Sequence, residues 1–173
     1  PQPTPGELIG VVLAGNVFSA AVRGVCLPLL AGAHVIAKAA SDESAWLSAF
    51  AGALRDTDAH VGQRLSIVQF SRQDAEAARA LCSHVDALSV YGDDSTVERL
   101  AAWCTPSCRV IAHGHGVSAA FVSRQQLTSP AAALRTAGAL ALDVAAYDQR
   151  GCLSPQFVCV EPGAVVSPRE FAQ

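Results

Sequence analysis

The sequence contains no methionine, and Lys38 is the single lysine among its 12 basic residues. Aromatic residues make up 6% and charged residues 16% of the 173 residues, whereas hydrophobic residues make up 51%. So few charges exclude an intrinsically disordered chain, and the apolar content favours a folded protein with a sizeable core. The absence of an initiator methionine predicts a processed chain or a fragment.

Clusters of basic residues are also missing, and the net charge is −3. A nucleic-acid partner is therefore not expected. Uninterrupted apolar stretches fall short of the ~20 residues that a membrane span needs. No basic segment precedes an apolar stretch at the start of the sequence, so no signal peptide is predicted. The six cysteines are accordingly expected to be reduced thiols in the cytoplasm.

Short apolar runs alternate with helical patterns through the first 112 residues. Strands are predicted at residues 6–14, 33–38, 65–70, 86–91 and 109–112. Helices are predicted at residues 19–30, 43–55 and 73–83, and from Asp94 or Ser95 to about Cys104. Continuous apolar strands are typical of a sheet with helices on both faces. The pattern predicts a doubly wound, mostly parallel, Rossmann-like α/β sheet.

The pattern changes at the His-Gly-His-Gly loop of residues 113–116. Beyond it we predict strands at 117–122 and 156–161, a helix at 130–147 and a polar turn at 148–155. We therefore predict a nucleotide-binding α/β domain over residues 1–113. Residues 114–173 are predicted to be the start of a second, catalytic α/β domain.

Polar residues follow the predicted strands where ligands bind in open α/β sheets. Asn16, Lys38, the 91–95 segment and His113 each come at or after a strand end. No Gly-x-Gly-x-x-Gly follows the first strand, so a dinucleotide would bind in a less common way. From the residues alone, Lys38 is either a cation for a ribose or phosphate group or a solvated lysine.

The cysteines lie in different predicted surroundings. Cys152 lies in the polar turn, as either an exposed nucleophile or an unreactive loop thiol. Cys26, Cys82 and Cys159 lie in predicted helices or a strand and are expected to pack inside. Cys104 and Cys108, with His113 and His115, offer four zinc ligands, but their spacing fits no common zinc motif, and no metal site is predicted.

Several segments together resemble the aldehyde dehydrogenase superfamily. Gly15-Asn16-Val-Phe-Ser19, the segment ending at Lys38, Val90-Tyr-Gly-Asp-Asp-Ser95 and residues 111–122 match its conserved segments in order. The most specific match is Tyr147-Asp-Gln-Arg-Gly-Cys-Leu-Ser-Pro-Gln156. It resembles the nucleophile segment of the long-chain fatty-acyl-CoA reductases, the branch that includes the acyl reductase of bacterial luminescence.

The resemblance implies a role for each site residue. Cys152 would be the nucleophile, and Asn16 with the Cys152 backbone N–H would form the oxyanion hole. The cofactor would be bound by Lys38, at its adenosine ribose, and by Ser41, Gly92 and Ser95. His113 stands where the oxidising relatives carry a general-base glutamate, which suits a reductase because water would destroy its acyl-enzyme. Two roles stay open for His113: it either donates and accepts a proton or only packs against the cofactor.

The implied activity is NAD(P)H-dependent reduction of an acyl-CoA or carrier-bound acyl group to the aldehyde. Where the relatives have Lys-Pro-Ser-Glu, this sequence has Lys38-Ala-Ala-Ser41. Without the glutamate near the ribose, a 2′-phosphate would not be repelled, so NADPH is expected as a cofactor beside NADH. The family's N-terminal and later catalytic segments have no counterpart, so the full-length protein is expected to be larger and to form an oligomer or multi-component complex. The alternatives are a non-catalytic fragment or assembly domain, a Cys/His zinc-binding module, and a γ-glutamyl-phosphate reductase-like enzyme, against which Cys-Leu-Ser-Pro-Gln argues.

Overall fold

The chain divides into two compact units, Pro1–His115 and Gly116–Gln173. The computed structural model describes residues 6–15, 18–40, 44–114 and 116–173. Among these described residues, no helix is long and apolar enough to cross a membrane. The roles expected for residues 1–113 and 114–173 stay predictions.

A parallel five-stranded sheet forms the centre of the first unit, in the order β3-β2-β1-β4-β5. Its strands are β1 (Leu8–Val12), β2 (His34–Lys38), β3 (Leu65–Val68), β4 (Ala87–Tyr91) and β5 (Arg109–His113). The helices of the unit are α1 (Phe18–Leu30), α2 (Ser44–Thr57), α3 (Ala59–Gly62), α4 (Ala75–His84) and α5 (Asp94–Ala101). The order reverses between β1 and β4, where open α/β sheets bind their ligands. The predicted doubly wound, parallel α/β sheet is confirmed.

Both faces of this sheet are covered at its central strands β1 and β4. Successive side chains of a strand point to opposite faces. In β1, Val11 packs in the core that includes residues of α1 and α2, whereas Val12 packs in the core that includes residues of α4 and α5. Leu88 and Val90 of β4 are fully buried in the second of these cores. Two-sided burial explains why the strands read as continuous apolar runs.

Helix α1 extends past Pro28 to Leu30, so the proline does not shorten it. Two hydrogen bonds close its end, from Gly32 N to the Leu29 carbonyl (3.0 Å) and from Ala33 N to the Pro28 carbonyl (3.1 Å). Gly32 has a φ of 89°, the left-handed conformation that glycine adopts at this kind of helix end. Gly32 thus ends the helix.

The elements differ from the predicted ones mainly at their ends. β1 begins and ends two residues inside its predicted range, and β5 extends one residue further, so His113 is a strand residue and not a loop residue. Helix α5 is capped by Asp93, not by Asp94 or Ser95. The short helix α3 was not predicted. Asp58 forms it by accepting hydrogen bonds from the backbone N–H groups of residues 60 and 61.

The second unit contains a parallel strand pair, β6 (Ala119–Val122) and β7 (Phe157–Val160). Helix α6 (Pro130–Ala145) lies between them in the chain, and α7 (Pro168–Phe171) follows β7. Single 3₁₀ turns occur at Arg124–Gln126 and Ala146–Gln149. The buried core of this unit contains Val122, Leu127 and Ala133.

Candidate active site

Three residues of the predicted site lie at the carboxyl edge of the five-stranded sheet. Lys38 is the last residue of β2, His113 is the last residue of β5, and Gly92 directly follows β4. Tyr91 pairs with His113 across β4 and β5, and Lys38 pairs with Val12 of β1. The structure therefore brings these side chains to one edge, while their binding roles remain predictions.

Lys38 is half-buried and its ammonium lies 5.5 Å from the centre of the Phe70 ring. Loss of water lowers the pKa of Lys38, and the nearby positive charge of Arg72 lowers it further. A cation on an aromatic face can still attract an anion at this edge. Lys38 is thus only partly exposed, which leaves its ammonium accessible to a ligand.

The start of α5 is organised around Asp93. Its carboxylate accepts hydrogen bonds from Thr96 N (2.7 Å), Ser95 Oγ (2.8 Å) and Arg72 Nη2 (2.7 Å). Hydrogen bonds from the Thr96 side chain, from Arg72 and from Ser95 hold the pKa of Asp93 well below its usual range. Ser95 therefore belongs to the helix cap, and a phosphate at this helix start would meet the carboxylate of Asp93.

The His113 ring is stacked on Tyr91, with ring centres 4.1 Å apart and planes within 8°. Tyr91 in turn packs on α1 at Gly24, where a Cβ atom would lie 3.2 Å from the Tyr91 hydroxyl. Partial burial lowers the pKa of His113, and Arg23 lowers it further. The imidazole is consequently neutral at pH 7 and able to accept a proton.

Cys152 lies in an exposed turn of the second unit. Its carbonyl accepts a hydrogen bond from Ser118 Oγ (2.6 Å). The buried Ser154 donates from its hydroxyl to the Ala146 carbonyl (3.3 Å) and from its N–H to the Gly151 carbonyl (3.0 Å). Hydrogen bonds of Ser118 and Ser154 therefore hold the backbone of the turn that carries this accessible thiol.

The residues before this turn have an unusual backbone. Tyr147, Asp148 and Gln149 have φ values of 54°, 57° and 58°, in the left-handed region. Each such non-glycine residue costs on the order of 1 kcal/mol or more. Strain of this kind concentrates at functional sites, and here it lies three residues before the cysteine.

The predicted residues are not all described. Asn16 and Ser41, predicted for the oxyanion hole and the cofactor, lie outside the described residues, as does His115. Cys152 belongs to the second unit, whereas Lys38 and His113 belong to the first.

The zinc-site alternative does not agree with the strand geometry. Cys108 precedes the first residue of β5 and His113 is the last. A strand rise of ~3.3 Å per residue puts them about 16 Å apart, too far to share a metal ion. Among the described residues, no group of three or more His, Cys, Asp or Glu side chains could hold a metal ion.

The other cysteines are less accessible than Cys152. Cys82 is fully buried as predicted, whereas Cys26 and Cys159 are only half-buried. Burial raises the pKa of Cys26, Cys82, Cys104 and Cys108. For Cys108 it rises to about 11, since neighbouring groups add to the effect of burial.

Sequence reasoning missed several residues that shape these sites: Arg72, Tyr91, Ser118 and Ser154. Ser154 could have been identified from the sequence, because it belongs to the Cys-Leu-Ser-Pro-Gln segment. Arg72 gave no local signal, since its partner Asp93 is 21 residues away in the chain.

Relatives of known structure share this fold. A salicylaldehyde dehydrogenase from Pseudomonas putida G7, complexed with salicylaldehyde, superimposes with a TM-score of 0.76 at 18% identity, over 91% of this chain and 32% of that one. The glyceraldehyde-3-phosphate dehydrogenase GapN from Methanocaldococcus jannaschii, complexed with NADP, gives a TM-score of 0.69 at 14% identity, over 91% of this chain and 34% of that one. At these identities the likeness shows the aldehyde dehydrogenase fold.

Sequence comparison gives the family. A long-chain acyl-protein thioester reductase from Photorhabdus laumondii subsp. laumondii is 26% identical over 148 residues, which are 84% of this chain and 30% of that protein. The chain thus spans about a third of the length of such relatives. The sequence model described as acyl-CoA reductase (LuxC) matches residues 2–173. The resemblance to the acyl reductases is confirmed, and the chain belongs to the acyl-CoA reductase (LuxC) family.

Proposed function

We propose that the protein containing this chain reduces a long-chain acyl thioester, such as an acyl-CoA or a carrier-bound acyl group, to the aldehyde. Cys152 is the nucleophile, and NADPH or NADH is the reductant. One observation supports this most strongly: Cys152 lies exposed in a turn. The family match that contains it covers residues 2–173. The P. laumondii relative, a long-chain acyl-protein thioester reductase, supports the substrate class.

The chemistry begins at the Cys152 sulfur. The thiolate attacks the thioester carbonyl, and the thiol of the donor leaves, so that an acyl group remains on Cys152. The negative oxygen of the addition step is stabilised by the Cys152 N–H and by Asn16, and one such donor lowers a barrier by about 3 to 4 kcal/mol. Because Ser118 holds the Cys152 carbonyl, the neighbouring backbone stays in place during this step.

The second half-reaction returns the free thiol. When bound, the nicotinamide group supplies the hydride that reduces the acyl carbonyl. Cleavage of the carbon–sulfur bond then releases the aldehyde and the Cys152 thiolate, which takes up one proton to become the free thiol. His113, neutral at pH 7, is our candidate for handling that proton.

The residues at the carboxyl edge fit a nicotinamide nucleotide. The strand order creates the crevice between β1 and β4 that binds dinucleotides in such sheets. Lys38, with its ammonium on the Phe70 ring, would hold the adenosine ribose. Gly92, which has no side chain, would allow the cofactor to approach the start of α5, where Ser95 is the other proposed contact.

A pair of cysteine variants tests the proposal in the full-length protein. Cys152→Ser should abolish acyl-CoA-dependent oxidation of NADPH, because a serine hydroxyl has no comparably nucleophilic anion at pH 7. Cys159→Ser is the matched control, since that thiol lies half-buried in β7, and it should leave the rate near that of the unaltered protein. Retention of the rate by Cys152→Ser would exclude the cysteine mechanism.

A further inference from the structure

His113 lies on an edge strand that gives its side chain little support. Among the described strands, β5 has β4 as its one neighbour, and residues 110–113 are exposed. The backbone of His113 is fixed, because its carbonyl accepts a hydrogen bond from Gly92 N (3.3 Å), which continues the pairing of β4 and β5. The imidazole can still rotate about two side-chain bonds, so the direction of its nitrogens depends on what the ring packs against.

Tyr91 supplies that packing. Tyr91 and His113 are the last residues of β4 and β5 and pair in register, so their side chains leave the sheet on the same face. The two rings are parallel within 8°, and their centres are 4.1 Å apart. A stack of this kind is a favourable aromatic contact, and it restricts the plane of the imidazole.

The Tyr91 ring is itself held by α1. It packs against the core that contains Val25 and Leu29 of this helix. A Cβ atom at Gly24 would lie 3.1 Å from Tyr91 Cε2 and 3.2 Å from the Tyr91 hydroxyl. Glycine at this helix position therefore leaves the space that the ring occupies. A line of contacts thus runs from α1 through Tyr91 to His113 at the edge of the sheet.

We propose that Tyr91 is a positioning residue for His113: it holds the imidazole in the orientation in which this ring handles the proton of the reaction, and Gly24 leaves the space that Tyr91 needs. The inference rests on the proposed function, in which His113 takes that role. Tyr91 acts through His113 and not on the substrate. Misplacing a reacting group by about 1 Å can lower a rate by about 100-fold, so loss of the stack should be visible in kcat.

The test measures kcat and KM for acyl-CoA-dependent oxidation of NADPH by the full-length protein. Tyr91→Leu keeps an apolar side chain but removes the stack, and it should lower kcat by about 10-fold with little change in either KM. Tyr91→Phe keeps the stacked ring and should retain most of kcat. His113→Gln should lower kcat by about 100-fold, and adding Tyr91→Leu to it should cause no further loss.

Gly24→Ala tests the contact with α1 while the tyrosine stays in place. The added Cβ atom forces the Tyr91 ring to shift by a few tenths of an ångström, so kcat should fall, but by less than in Tyr91→Leu. Gly52→Ala is the matched control and should leave kcat unchanged, because Gly52 lies in α2 with no atom within 4 Å of its Cβ position. Alanine favours a helix at both positions, so loss of α1 would not explain a lower kcat in Gly24→Ala.

NMR signals of the carbon-bound ring protons of His113 give a readout that does not need activity. The Tyr91 ring shields these protons, so their signals should move downfield in Tyr91→Leu and stay in place in Tyr91→Phe. Unmoved signals in Tyr91→Leu, a full kcat in that variant, or an equal further loss in the His113→Gln background would overturn the positioning role and leave the proposed reaction intact. Absence of acyl-CoA-dependent oxidation of NADPH or NADH by the unaltered protein would overturn the proposed function, and the positioning role with it.

Discussion

At the scale of single residues, partial burial and the nearby Arg23 lower the pKa of the imidazole of His113 at the carboxyl edge. Stacking removes water from one face of the ring, and the nearby Arg23 disfavours a second positive charge. Both effects keep the ring neutral at pH 7. They also make His113 a poor proton donor until a reaction step generates a basic atom next to it.

Titration of His113 by NMR should give a pKa below 6.5, the value of an unperturbed histidine. Arg23→Gln should raise this pKa only part of the way, because burial is the larger cause. As the pH falls through 6.5, the unfolded chain takes up the proton first, so His113 should reduce the stability of the folded protein in acid. A pKa at or above 6.5 would contradict the assignment, and the missing signal in His113→Gln would identify the resonance.

Gln149 provides a test of the strain before Cys152. Its side chain is exposed and its φ is 58°, a conformation that glycine adopts without the penalty of a Cβ atom. Gln149→Gly should therefore leave the free energy of unfolding unchanged or raise it by up to about 1 kcal/mol, measured by denaturant unfolding.

The control is Gln125→Gly. Gln125 is also exposed but lies in the 3₁₀ turn Arg124–Gln126 and is not among the residues with positive φ. There, glycine should lower stability by roughly 0.5 to 1 kcal/mol through its greater freedom in the unfolded chain. Equal losses at both positions would mean that the backbone at Gln149 is not strained.

At the scale of elements, the sequence predicted all five strands of the first unit in their order along the chain, because each is a short apolar run. Two-sided burial accounts for this in the central strands β1 and β4, whereas β5 is largely exposed. It did not identify the cap of α5, since Asp93, Asp94 and Ser95 are all good capping residues. The choice of Asp93 depends on where β4 ends and on Arg72, both of which are tertiary effects. Helix α7 was also missed, although Ser167-Pro-Arg-Glu170 is a capping box with proline at the first position.

The residues at the carboxyl edge of the first unit and the cysteine turn of the second unit could be predicted from the sequence to different extents. Lys38 and His113 could be placed at one edge because parallel strands end together, whereas Arg72 could not, because its partner Asp93 is 21 residues away in the chain. Cys152 was suggested by its polar turn and was specified only by the resemblance of the whole segment. The strained residues before it carry no glycine that would have indicated their backbone.

The two sheets should differ in local stability. β1 is paired on both sides, whereas in the described part of the second unit β6 and β7 have only each other. Two-stranded sheets are marginally stable, so the β7 amides should exchange hydrogen faster than those of β1, as measured by mass spectrometry on this chain. Equally slow exchange in Phe157–Val160 and Leu8–Val12 would contradict this.

At the scale of the whole molecule, the chain spans about a third of the length of its relatives, and its second unit exposes large apolar side chains. Phe121 is 79% exposed on β6, and Leu134 and Leu142 are 75% and 73% exposed on α6. Exposed apolar surface of this kind marks contacts with further protein.

The most direct test of the account is to trap the acyl group on the protein. The full-length protein is incubated with a long-chain acyl-CoA without NADPH or NADH, and the modified residue is located by peptide mass spectrometry. We predict a thioester at Cys152, absent in Cys152→Ser, retained in Cys159→Ser and lost when NADPH is added. An acyl group on a different residue, or no acylation under conditions in which aldehyde forms, would contradict the central claim that Cys152 is the nucleophile.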